Sequence, residues 1–165
     1  MTLLLYYFAI LLLHNVVYAL FNVTVYNQNS AIQYSGAWNR TAPSTLEFGE
    51  HGLMVSSDSS AFATLTFTGP PSFFTEAIAV LILSLLGVAV YLWAPLWPYK
   101  ITTDVCLDGG VGESVDLQDY SHSTDGGPET VASAVRWSRT GLTDSRHTLA
   151  LYMGRDASYV VVDGF

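Results

Sequence analysis

Positive charge is scarce in this sequence. Lysine and arginine together number 6, against 14 acidic residues, and the formal net charge is −8. A nucleic-acid backbone is bound by clustered Lys and Arg side chains, because these neutralise its phosphates. The composition therefore excludes nucleic acid as an expected partner.

Cysteine is almost absent, since Cys106 is the single one. A lone cysteine excludes an intrachain disulfide and a metal site of the CxxC type. The sequence also lacks a GxSxG elbow, an HExxH pair and a phosphate-binding glycine loop. We therefore predict that the chain is not an enzyme and has no catalytic residue, no metal site and no cofactor.

Residues 1–19, MTLLLYYFAILLLHNVVYA, have the features of a signal peptide. An apolar run over 3–13 is followed by Val17 and Ala19, in the small-residue spacing that signal peptidase accepts. Two N-x-Thr motifs begin at Asn22 and Asn39, and such motifs accept N-linked glycans in the secretory pathway. The sequence predicts a signal-peptide helix, glycosylation at both asparagines, and a protein that is secreted or held at the cell surface or membrane.

The remainder, 20–165, is rich in short alternating segments. In ATLTFT, apolar residues alternate with threonine, which is the pattern of a half-buried strand. Similar segments are ITTDVCL, GESVDLQDY, TVASAVRW, HTLALYM and SYVVVDGF, with turn residues between them. Short strands at such intervals predict an all-β domain, namely an antiparallel β-sandwich of the jelly-roll kind.

An apolar tract interrupts the predicted sandwich at 70–98. No charged residue occurs between Glu76 and Lys100, and 76–95 has the length of a transmembrane helix. Such a helix would place strands of one sandwich on opposite sides of a membrane, with unpaired edges. The alternative, which we favour, assigns 87–93 to a sandwich strand and 70–86 to a hydrophobic helical insert. A further hypothesis is that an unspliced intron encodes 70–86.

Aromatic and polar side chains that follow the apolar tract are the candidates for ligand contacts. Trp97 lies between two prolines, so we expect its ring to be exposed, and Tyr99 lies close by. Asp119 and His122 belong to the densest polar segment, DLQDYSHSTDGGPE. Aromatic rings pack on the apolar faces of sugars, and polar side chains bond to the hydroxyl groups. These four residues are predicted to bind a ligand, and a glycan is the ligand class that we favour.

Three further residues are given structural roles. We expect Trp137 to lie in the core, in phase with Val135, and Gly141 to end their strand. His147 begins the next strand, where we expect a hydrogen-bonded structural histidine.

Several stretches together resemble a group of uncharacterised fungal cell-surface proteins with one membrane-spanning helix. They are IQYSGAW, ATLTFTG, GVAVYLWAPLWPYKITTDVCLDGG, VDLQDYSHSTDGGPETVASAVRWSRTGLTDSRHTLAL and YVVVDGF. The resemblance implies a galactose-binding-like jelly roll over 20–165 that ends inside its last strand, and it implies no catalytic residue. In these relatives a segment like TFTG runs almost directly into one like VAVYLW, so 70–86 departs from their pattern.

The leading hypothesis is a non-catalytic extracellular or membrane-associated recognition module that binds a glycan. Its expected partners are a membrane and a cell-wall or extracellular glycan. A second hypothesis is a small membrane-anchored structural protein without a ligand. The third is an extracellular hydrolase that uses two carboxyl groups from the set Asp116, Asp119, Asp125 and Glu129.

Overall fold

The computed structural model describes residues 23–68, 88–124 and 126–165. The predicted signal peptide, Asn22, the predicted insert at 70–86 and Asp125 lie outside the described residues. The described part of the chain forms ten strands and a 3₁₀ turn, Phe48–Glu50. It contains no helix that is long and apolar enough to cross a membrane.

One layer of the fold is a five-stranded antiparallel sheet. Its strand order is β1-β4-β9-β6-β7, and apolar side chains on alternate residues point to one face. The strands are β1 (Ile32–Ser35), β4 (Phe62–Thr68), β9 (Arg146–Met153), β6 (Thr102–Leu107) and β7 (Glu113–Asp116).

The other layer combines a three-stranded sheet with a two-stranded one. In the first, β10 (Val160–Val162) pairs with β3 (Met54–Ser56), which pairs with β2 (Asn39–Arg40). In the second, β5 (Val88–Leu96) pairs with β8 (Val131–Leu142). An antiparallel bridge between Trp93 and Gly164 joins them, because the Trp93 amide donates to the Gly164 carbonyl at 2.9 Å.

The core lies between the two layers. Leu65, Val105 and Leu149 of the five-stranded sheet belong to the same buried cluster as Leu92 and Val162 of the other layer. Full burial of one such side chain contributes about 1.5–3 kcal/mol. The prediction of an all-β antiparallel sandwich is confirmed.

The transmembrane helix proposed for 76–95 is wrong where the chain is described, because Val88–Leu96 is strand β5. Val90 and Leu92 are buried on one side of this strand, whereas Tyr91 between them is exposed. The alternating pattern and the pairing with β8 favour a strand over a helix. The alternative assignment of 87–93 to a sandwich strand is confirmed from residue 88, where the described chain resumes, and the strand continues to Leu96.

Strand β8 differs from its prediction in two details. It passes through Gly141, which adopts a positive φ of 71°, and ends at Leu142. The β5–β8 register shifts between Leu92 and Trp93, and this irregularity changes which side chains share a face. As a result Val135 is 43% exposed while Trp137 packs against the core. The core position of Trp137 is thus confirmed, but its phase with Val135 is wrong.

Candidate functional site

A cleft of about 400 Å³ lies at one end of the sandwich. Four connections that are distant in sequence meet there: the loop between β2 and β3, the link between β5 and β6, residues 127–129 before β8, and Tyr159 before β10. The loops at the end of a sandwich tolerate variation in sequence, since the sheets behind them carry the core. This cleft is therefore the candidate site.

Aromatic side chains form the apolar part of the cleft. Trp97 is only 4% exposed and belongs to the core cluster, so the expectation of an exposed Trp97 ring is wrong. Tyr99 is half-buried, and Tyr159 is 38% exposed. Burial, followed by the proximity of Tyr159 and Glu129, raises the pKa of the Tyr99 phenol. The two phenols and the Glu129 carboxyl group therefore lie close together.

Glu47 shapes the wall that the β2–β3 loop contributes to the cleft. Its carboxylate is buried and accepts hydrogen bonds from the Gly52 amide (2.7 Å), the Ser44 amide (3.1 Å) and the Thr41 hydroxyl (3.2 Å). Gly52 has a positive φ of 78°, and a Cβ atom there would lie 2.5 Å from the Thr41 carbonyl oxygen. The conformation of this loop thus depends on the hydrogen bonds to the Glu47 carboxylate and on a glycine at position 52.

A second buried carboxyl group, Asp163, lies next to this loop. It is 1% exposed, and one of its oxygens accepts a hydrogen bond from the Phe48 amide at 2.8 Å. Burial raises the pKa of Asp163 to about 6, and the neighbouring Glu47 and Glu129 also raise it. The end of the sandwich that holds the cleft is therefore rich in carboxyl groups.

Asp119 does not line the cleft but is hydrogen-bonded to the segment that carries Trp97. Its carboxylate accepts hydrogen bonds from Ser121, from the Thr130 hydroxyl (2.7 Å) and from His122 Nδ1 (2.8 Å). The bonds from Ser121 and Thr130 hold the pKa of Asp119 well below its usual range. The Asp119 amide also donates to the Trp97 carbonyl at 2.6 Å. Asp119 therefore fixes the backbone that carries Trp97.

The four residues proposed as ligand contacts thus divide into two pairs. Trp97 and Tyr99 line the cleft, whereas Asp119 and His122 do not. The His122 side chain is 67% exposed and is hydrogen-bonded to Asp119. Their role in binding a ligand stays a prediction.

Most residues that line the cleft were not predicted as ligand contacts, among them Tyr159 and Glu129. Tyr159 carries no motif, and Glu129 was considered only for a hydrolase. Among the other three carboxylates of that hypothesis, Asp116 accepts hydrogen bonds from Gln118 and Tyr120. No group of three or more His, Cys, Asp or Glu side chains in the described ranges is arranged to hold a metal ion.

His147 lies at the opposite end of the sandwich, bonded as expected for a structural histidine. Its Nδ1 is 2.7 Å from Asp108 Oδ2, and its Nε2 is 2.9 Å from the Thr143 carbonyl oxygen. The hydrogen bonds to Asp108 and to the Thr143 carbonyl raise the pKa of His147, because they favour the protonated ring. Ser145 Oγ lies 3.3 Å from Nε2.

Solved structures that share this fold include two of an exo-β-1,3-galactanase from Phanerochaete chrysosporium, each with β-1,3-galactotriose. The TM-scores are 0.52 and 0.53, and the sequence identity is 16% in both cases. The alignments cover 86% and 87% of this chain but 28% of each galactanase chain. Neither a family model nor a curated protein matches the sequence. The likeness establishes the β-sandwich fold, and this chain spans less than a third of the galactanase.

The prediction that the chain is not an enzyme is contradicted by this comparison. Solved structures that share its fold include those of an exo-β-1,3-galactanase, so the fold occurs as part of a protein that acts on a glycan. The absence of sequence motifs for catalysis was therefore insufficient ground for excluding an enzyme, because a hydrolase that uses two carboxyl groups needs no local motif.

Proposed function

We propose that this chain binds glycans, and that one or two sugar rings occupy the cleft beside Tyr99 and Tyr159. The cleft itself carries this proposal. Its volume of about 400 Å³ falls within the range of about 300–1,000 Å³ that is common for small-molecule sites. Apolar walls and a few polar groups converge there, as such sites require.

The cleft has both apolar and polar lining groups, as a sugar ring has both an apolar C–H face and polar hydroxyl groups. One face of the ring presents C–H groups, which pack favourably on aromatic rings such as those of Tyr99 and Tyr159. The rim presents hydroxyl groups, which hydrogen-bond to carboxylates and to other hydroxyls. Glu129, Ser44 and Thr41 line the cleft and supply such groups.

A β-galactoside is the first ligand to test. The matched solved structures are of an enzyme named for β-1,3-galactan and contain β-1,3-galactotriose. Their fold is the one found here, and this similarity supports a glycan of that class as the partner of this chain.

The test is titration of the full chain with β-1,3-galactotriose, followed by calorimetry or NMR, together with a glycan array. We expect Tyr159→Ala to weaken binding about tenfold, since stacking on an aromatic ring contributes on the order of 1 kcal/mol. Tyr91→Ala is the matched control, because Tyr91 is 39% exposed but lies on β5 outside the cleft. Equal losses in both variants, or no binding to any glycan, would refute the proposal.

Glycoside hydrolysis in the same cleft is a second candidate function. Glu47 and Glu129 both line the cleft, and most glycosidases use two carboxyl groups that flank the scissile bond. Glu47 is held by three hydrogen bonds, so Glu129 is the carboxyl group better placed to exchange a proton. Release of galactose from β-1,3-galactotriose, abolished in Glu129→Gln with binding retained, would establish this activity.

We also propose, from the sequence, that the protein follows the secretory pathway to the cell surface or the exterior. The first motif residue within the described part of the chain, Asn39, is exposed on β2, so its side chain is accessible for modification. Loss of a glycan-sized mass in Asn39→Gln, measured on protein from the native host, would support this route. An unglycosylated Asn39 and an unglycosylated Asn22 would count against it.

A further inference from the structure

We propose that the cleft selects glycans that carry a free amino group, so that its preferred ligand is a hexosamine-containing glycan. This inference rests on the proposed glycan-binding function and concerns the same cleft. Its basis is the negative charge of the carboxylates in and next to the cleft, which favours a ligand with a positive charge.

The charged residues that line the cleft within the described chain are Glu47 and Glu129, and both are acidic. The basic residues nearest to the lining segments in sequence are bonded elsewhere. Arg40 donates to the His51 carbonyl oxygen, and Lys100 lies 3.9 Å from Asp156. An anionic sugar would therefore meet repulsion in the cleft without a compensating cation.

The two carboxylates differ in the hydrogen bonds and salt bridges that they already form. Glu47 accepts three hydrogen bonds from its own loop. Glu129 is half-buried, and the four salt bridges among the described residues all join other carboxylates. Glu129 is thus the group that an ammonium ion in the cleft would pair with, next to the Tyr99 and Tyr159 rings on which the sugar packs.

The carboxyl group beneath the cleft strengthens this preference. Burial raises the pKa of Asp163 to about 6, and the negative charges of Glu47 and Glu129 contribute to the shift in the same direction. A bound cation relieves the repulsion among these charges, whereas a neutral ring leaves it in place. A charged hydrogen bond to Glu129 in a partly buried site corresponds to roughly a tenfold gain in affinity.

The experiment compares the methyl β-glycosides of galactose, N-acetylgalactosamine and galactosamine, which share one ring and differ at C2. Each is titrated into the full chain at neutral pH, with ethanolamine as an amine without a ring. We expect the galactosamine glycoside to bind about tenfold more tightly than the other two sugars, and ethanolamine to bind far more weakly. The preference should disappear when the pH is raised above the pKa of the amine.

Two matched variants locate the effect. Glu129→Gln should remove the preference for the amine, so that the ratio of the affinities for the galactosamine and galactose glycosides falls from about ten to about one. Asp144→Asn removes the same formal charge from the exposed turn between β8 and β9 and should leave the preference intact. Both readouts are ratios of affinities, so a modest loss of folded protein affects neither.

The possible results are distinct. Equal affinity for the three sugars would overturn this inference and leave glycan binding standing. An ethanolamine affinity equal to that of the galactosamine glycoside would overturn it as well, because charge alone would then account for binding. Binding of none of the sugars would overturn both this inference and the proposed function.

Discussion

The buried carboxyl group of Asp163 should make the protein less stable as the pH rises from about 4 to above 6. Burial raises the pKa of this group from 3.8 to about 6, so the folded state holds the proton more tightly than the unfolded state does. Its contribution to the free energy of unfolding is therefore fully present below pH 3.8 and is lost as the pH rises through about 6. Each tenfold change in an ionisation constant is worth ~1.4 kcal/mol, so the loss amounts to about 3 kcal/mol.

Asp163→Asn isolates this contribution. The amide has nearly the same shape, cannot ionise, and retains an oxygen that accepts the hydrogen bond from the Phe48 amide. We therefore expect the stability of the variant relative to the wild type to increase as the pH rises, with a difference in unfolding free energy that grows by about 2.5 kcal/mol between pH 4 and pH 8. Urea unfolding followed by tryptophan fluorescence at five pH values measures this difference.

The exposed Asp144 supplies the control, since Asp144→Asn removes the same formal charge from the surface and should change the free energy of unfolding little. Carboxylates with lowered pKa values, such as Asp108 and Asp119, act in the opposite sense, but only as the pH falls below about 4, and they are common to all three proteins. A difference between Asp163→Asn and the wild type that stays constant from pH 4 to pH 8 would refute the reasoning.

Two further substitutions test the loop of the cleft and the distal end of the sandwich. Gly52→Ala should lower the free energy of unfolding by more than ~2 kcal/mol, because its Cβ would meet the Thr41 carbonyl oxygen at 2.5 Å. Gly109→Ala, with a positive φ of 68° but open space around it, should cost only ~1 kcal/mol, and equal losses in urea unfolding would contradict the steric argument. His147→Gln should cost about 1–3 kcal/mol near pH 6 through loss of the charged bond to Asp108. Since the pKa of His147 is raised, that contribution is present below pH 6.5 and lost as the pH rises through the folded value, so the gap to the wild type should narrow at pH 9.

The strands were predictable where their pattern is local. ATLTFT alternates strictly and forms β4, and the short apolar-rich segments ITTDVCL and HTLALYM form β6 and β9. Alternation reports which face of a strand is buried without reference to the rest of the chain. The phase of β8 was not predictable in this way, because the register shift that turns Val135 outward depends on how β5 pairs with it.

The cleft was only half predictable, for a different physical reason. Trp97 and Tyr99 were found because they are adjacent aromatic residues in a proline-rich link. Tyr159 and Glu47 lie in separate segments that meet only after the sheets have formed. Asp119 stood out as polar, but its carboxylate bonds to Ser121, His122 and Thr130 and does not line the cleft. Composition identifies polar side chains, whereas their direction is fixed by tertiary contacts.

The two ends of the β4–β5 connection that the structure describes, Thr68 and Val88, lie far from the cleft, so the apolar tract can be tested separately. Thr68 pairs with Arg146, and Val88 pairs with Leu142, so both ends of the connection flank the turn between β8 and β9. That turn passes from one layer to the other in three residues, 143–145. From Val88 to Leu96 the nine residues of β5 extend about 30 Å towards the cleft.

Replacement of 70–86 by Gly-Ser, with Gly69 and Gly87 retained, would leave a four-residue connection between β4 and β5, one residue longer than the neighbouring turn. We expect this variant to fold and to bind the same glycans as the full chain within about twofold, because the strands on either side already pair within one sandwich. Circular dichroism and the sugar titrations described above measure both properties. An unfolded variant would show that the apolar tract is needed for the sandwich to form. A variant that folds but no longer binds the sugars would show that the tract contributes to the cleft. Either result would contradict the expectation drawn from the pairing of the flanking strands.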